Sequence, residues 1–150
     1  MSTLRSRLDA LRELRGVREL ALFAYLTAFA ALVPLMLRLP LPRLAALITR
    51  SPGDGTPSPE RVQRLRELMP LAIRFAYPLV RPGCLTRGVT LFWFLRRAGL
   101  DVELRFGLDP LDLEHPDGHC WIALRDEPLF EQDDPRPRFS ELYRFPLAAA

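Results

Sequence analysis

The sequence predicts an α+β fold: a helix packed on a small antiparallel sheet, preceded by an all-helical N-terminal region. Three observations predict it. Apolar residues recur every three or four positions through most of the chain up to Arg97, the period of a helix face. The period then drops to two, because Val102, Leu104, Phe106 and Leu108 alternate with Glu103 and Arg105. Further short strand-like runs follow across polar turns, so helices come first and strands after, the order of an α+β chain. The expected organisation is a hydrophobic helical region over 1–50, a linker over 51–59 and an α+β domain over 60–150.

The elements follow in order. Leu4, Leu8, Leu11, Leu14 and Val17 form an amphipathic stripe, with charges between them. Leu20 to Leu37 is a run of 18 residues without a charge. As a helix it would reach ~27 Å, slightly short of the ~30 Å hydrocarbon layer. Pro34 interrupts it, and arginines flank both ends, so charge gives no membrane orientation. A buried or partner-facing helix is the favoured reading, with membrane contact as the alternative. The long charged segment before the run, and the lack of a small-residue cleavage site after it, argue against a secretory signal. Pro40 and Pro42 predict an extended break before a short helix.

SPGDGTPSP, residues 51–59, holds turn formers and nothing to bury. Ser58-Pro59-Glu60 reads as a helix start: cap, proline at the first position, acid in the first turn. Val62, Leu65, Leu68, Met69, Ala72, Ile73 and Ala76 form its core stripe, kinked or split at Pro70 and ended by Tyr77-Pro78. A helix begins again at Cys84, with Leu85, Val89, Phe92 and Leu95 on one side and a stop at Arg96-Arg97 and Gly99. After the strand from Val102, DPLDLEHPDG is a polar turn and His119 to Leu124 a second strand. Asp126-Glu127-Pro128 is read as a turn into a third strand, Leu129 to Glu131. There are no internal repeats.

With 150 residues, 49% of them hydrophobic and 26% charged, the chain has the material for one folded core. The net charge is +3 and no basic tract carries interleaved aromatics, which speaks against nucleic-acid binding. All 21 basic residues are arginine, a bias that GC-rich coding accounts for. Two cysteines make no disulfide framework, so a reducing, cytoplasmic setting is expected.

One cysteine is placed for chemistry. Cys84 follows Pro-Gly and opens a helix, where unpaired N–H groups and the dipole favour a thiolate. A free cysteine is more often a small core residue, so the nucleophile reading needs a base and an orienting acid. His115 and His119 are the only histidines; His115 lies in a polar loop, whereas His119 starts a strand, a rigid position. Glu131, Asp133 and Asp134 follow the next turn, and Glu131 or Asp133 can lie beside His119 if that turn closes a hairpin. A zinc site from Cys84, His115, His119 and Cys120 is disfavoured, because Cys120 should point away from His119 along a strand. Trp121 is read as packing near the same face, and Arg87, Arg96 and Arg97 as a solvated surface.

The stretches RPGCLTRGVTLFWFLRRAGLDVELRFGL, HCWIALRDEPLFE and RFSELYRFPL together resemble the transglutaminase-like, papain-related cysteine enzymes. The closest resemblance is to the leader peptidases of lasso-peptide biosynthesis, relatives of the microcin-type maturation protease. Those enzymes show a Cys-Leu pair, a Leu-Arg-Arg-x-Gly helix end and an H-x-W strand. The resemblance implies a transglutaminase-like fold with Cys84 as nucleophile and His119 as general base. Twelve residues after that histidine the family usually has aspartate; this chain has Glu131, taken as the third member with Asp133 as substitute. The usual H-A-W is H-C-W here, and Cys120 is expected to pack inward. The resemblance implies removal of the leader from a ribosomally made precursor peptide, aided by a small leader-binding protein and a lasso cyclase; no cofactor and no metal are expected. A non-catalytic or amine-transferring module acting as a scaffold is the alternative, and the glutamate in place of aspartate is its best support.

Overall fold

The computed structural model describes residues 16–49, 57–80, 82–111 and 117–146. Among these the chain forms helices α1 (Val17–Met36), α2 (Leu41–Ile48), α3 (Pro59–Ala76) and α4 (Cys84–Arg97). Strands β1 (Val102–Leu108), β2 (Gly118–Leu124), β3 (Glu127–Leu129) and β4 (Ser140–Phe145) follow, so the α+β order holds. The Leu4–Leu14 part of the stripe, residues 51–56 of the linker and His115 lie outside the described residues.

α1 runs through Pro34 and buries Phe23, Leu26, Phe29, Ala30 and Val33. Phe23 meets Phe75 of α3 edge-on at 5.2 Å, and Phe29 stacks on Trp93 of α4 at 5.1 Å. Both carboxylate oxygens of Glu19 accept from Arg64 of α3, at 2.7 and 2.8 Å. The helix has a mean hydropathy of 1.8, long and apolar enough to cross a membrane, and a third of that window is buried in the protein. Its other face exposes Val17, Leu20, Tyr25, Leu32 and Leu35.

Pro40 is extended before α2, but Pro42 sits inside its first turn, so the break is shorter than expected. At a helix start the missing N–H has no intrahelical partner to lose. Ser58 caps α3 by accepting from the Arg61 N–H. That helix is continuous through Pro70, not split; burial of Met69, Ala72, Ile73 and Ala76 holds the second half. α4 ends with the Gly99 N–H on the Arg96 carbonyl and the Leu100 N–H on the Leu95 carbonyl, both 3.0 Å. Gly99 has φ +91° there, the left-handed residue this cap requires. Arg96 is buried rather than solvated, donating to Asp101 and to the Val102 carbonyl; Arg97 is exposed.

The sheet is antiparallel in the order β3-β2-β1-β4. Leu104 faces Ile122 and Phe106 faces Cys120 on the side covered by α4. Arg105 faces Trp121 and Gly107 faces His119 on the opposite side. There Arg105 is 5% exposed and gathers Glu103, Asp126 and Glu141 around its guanidinium. The β2–β3 turn is Arg125-Asp126, both left-handed (φ 51° and 68°), as a tight hairpin demands. The third strand is therefore Glu127–Leu129, two residues earlier than expected, with Pro128 tolerated on the sheet edge. β4, which the sequence reading leaves unassigned, pairs with β1 through a register shift at Phe106/Gly107.

Candidate active site

Cys84 is the first residue of α4, half-buried, at the rim of the sheet. Its N-cap, Gly83, offers no side chain, and the first helical bond is from the Arg87 N–H to the Gly83 carbonyl. The N–H groups of Cys84, Leu85 and Thr86 therefore have no acceptor within the helix. The Cys84 thiol points at the Gly118 carbonyl, 3.9 Å away, which brings it to the end of β2 that carries His119.

His119 is fixed on three sides. Its Nε2 lies 3.0 Å from Glu131 Oε2. Trp121, two residues along the same face, stacks with the ring at 6.1 Å and Phe139 at 5.1 Å. Phe139 reaches this position because Gly107 lies opposite: a Cβ on Gly107 would be 2.9 Å from Phe139 Cβ and 3.1 Å from Trp121 Cζ3.

Glu131 arrives by a route the strand register did not suggest. It lies past β3, not in it, after Phe130 takes a left-handed conformation at φ 67°. Its side chain is 12% exposed, and the oxygen not bonded to His119 is paired with Arg87 of α4. Arg87 is thus turned to the carboxylate, not to a solvated surface. Asp133 is exposed, lines a cleft together with His119 and Glu131, and makes no hydrogen bond or ion pair among the described residues.

Cys120 lies on the other face of β2, 2% exposed, its thiol donating to the Cys84 carbonyl at 3.5 Å. Burial pushes that thiol far above its usual range. Among the described residues no group of three or more His, Cys, Asp or Glu is placed to hold a metal ion.

Cys84 and His119 together line two clefts. An apolar one of about 330 Å³ includes Leu85, Phe106, Leu108 and Leu142. A second, of about 390 Å³, is walled by Pro70, Ile73 and Pro82. A more polar cleft of about 760 Å³ leads from His119 and Glu131 past Phe130 to Arg138. A chain laid across these clefts would pass thiol and imidazole together. Sequence reading missed Arg87, although it sits one helical turn after Cys84, and Phe139, whose approach depends on a side chain absent from Gly107.

The profile of the transglutaminase-like superfamily matches residues 25–144, from within α1 to within β4. No curated protein and no solved structure matches the chain. With four-fifths of its length matched, the chain belongs to the transglutaminase-like superfamily, which includes cysteine peptidases.

Proposed function

We propose that the protein is a cysteine peptidase that removes the leader from a ribosomally made precursor peptide during lasso-peptide maturation. The observation that carries the peptidase part is the imidazole of His119 held by Glu131 through Nε2, beside a cleft it shares with Cys84. With Nε2 engaged, Nδ1 is the nitrogen left to exchange a proton with the thiol and the leaving amine. Cys84 sulfur attacks the peptide carbonyl, and the carbonyl oxygen takes the charge, stabilised by the unpaired Cys84 N–H. His119 gives its proton to the amine as the C–N bond breaks. Water, deprotonated by His119, then hydrolyses the thioester and restores the thiol.

The leader-peptide substrate rests on the resemblance of the Cys84, His119 and closing segments to leader peptidases. So do the partners, a small leader-binding protein and a lasso cyclase. The setting is cytoplasmic, with contact to a membrane through the bare face of α1 as its alternative. The scaffold reading loses its main support, because Glu131 is within hydrogen-bond distance of His119 despite replacing the usual aspartate.

The test is incubation with a precursor peptide and its leader-binding partner. The unaltered chain is expected to release the leader, and Cys84→Ala to release none; cleavage by Cys84→Ala would overturn the proposal. Iodoacetamide near neutral pH should label Cys84 well ahead of Cys120, whose thiol burial keeps protonated.

A further inference from the structure

We propose that Arg87 is a positioning residue of this site: it holds the Glu131 carboxylate in the orientation that fixes His119. The inference rests on the cysteine-peptidase reading and adds a component to it. Both oxygens of Glu131 are occupied, Oε2 by His119 at 3.0 Å and Oε1 by Arg87. A glutamate has one more rotatable bond than an aspartate, and a single contact to the imidazole leaves that torsion free. A guanidinium on the second oxygen removes that freedom, because the carboxylate is then held at both oxygens, by His119 on one and by Arg87 Nη2 on the other.

The placement of Arg87 makes the contact more than a surface ion pair. Glu131 is 12% exposed and Arg87 only 36%, so solvent screens the pair less than it would a surface pair. Arg87 stands one turn after Cys84 on α4, and His119 stands on β2. The clamp therefore ties the acid, which comes from the segment after β3, to the helix that carries the nucleophile. Among the described residues the Glu131 carboxylate is bonded to His119 and Arg87 alone, and all three line the 760 Å³ cleft.

The test uses the full chain and the rate of Cys84 alkylation by iodoacetamide near neutral pH, read by mass spectrometry. Arg87→Gln and Glu131→Gln are each expected to slow alkylation by roughly tenfold to a hundredfold, the usual effect of a misplaced catalytic group. The double variant is expected to be no slower than Glu131→Gln, since both residues act through one carboxylate. Arg87→Lys should recover part of the rate, and so should added guanidinium with Arg87→Ala. Three results would overturn the inference: an unchanged rate in Arg87→Gln, slowing that multiplies in the double variant, or a loss that tracks a fallen melting temperature and resists guanidinium. Equal, slow labelling of Cys84 and Cys120 in the unaltered chain would instead overturn the nucleophile reading, a result distinct from all of these.

Discussion

Gly88 sits where α4 crosses the sheet, and a Cβ there would collide with Cys120 Sγ and come within 2.9 Å of Leu104 Cδ1. Two effects of Gly88→Ala compete. Alanine favours the helix by about 1 kcal/mol, whereas overpacking a buried contact costs about 1–3 kcal/mol. Both neighbours are buried side chains of the sheet with little room to give, so a net loss of about 1 kcal/mol is expected in denaturant melts. Cys120→Ala should remove the clash with Sγ and leave only the one with Leu104 Cδ1, so Gly88→Ala should cost less in that background than alone; a double variant as unstable as the sum would refute the contact. At this scale the sequence was informative where one residue type does one job. Cys84 after Pro-Gly and His119 after Gly118 stand at the element starts expected of them. Arg87 and Arg96 were opaque because a charge is read as solvated unless its partners are known: Glu131 lies 44 residues beyond Arg87, and Asp101 and the Val102 carbonyl reach Arg96 only once the chain turns after α4.

Helix ends were the most legible elements, because their signals are local. Ser58 and Gly99 announce a start and a stop, and the hydrogen bonds they imply are present. Gly99→Ala must place a Cβ at φ +91° and is expected to cost about 1–2 kcal/mol, since L residues are strained there. Thermal melting of the purified variant checks this, and an unchanged midpoint would show that the cap contributes nothing. Strand ends were less legible. The β2–β3 turn uses Arg125-Asp126 in place of the Asn-Gly type that marks a tight hairpin, so the third strand was placed two residues late. β4 was missed because it is an edge strand whose outward Leu142 is exposed and whose pairing partner, β1, lies far back in sequence.

Across the whole molecule, one hydrophobic cluster joins Phe23, Leu26 and Val33 of α1 to Leu68 and Met69 of α3, Phe92 and Leu95 of α4, and Leu104 and Ile122 of the sheet. The order of helices and strands was readable from periodicity. The way α1 shares itself between this cluster and a bare outer face was not, because an uncharged run looks alike on all sides until its neighbours are in place. α4 lies at the centre, in contact with the other three helices and with β1 and β2. That centrality has a consequence in time. Backbone amides of α4 from Val89 to Leu95 lie in the core and are expected to meet solvent only when the whole fold opens, whereas the segment from Phe130 to Phe139 carries no helix or strand, is held mainly through side chains, and is expected to open more readily. Native-state hydrogen exchange is therefore expected to find the α4 amides among the slowest in the chain and those of 130–139 much faster; equal protection of the two would contradict it. The sulfur rides on the helix expected to be slow and the carboxylate on the segment expected to be quick, so the site is expected to come apart from the side of the acid.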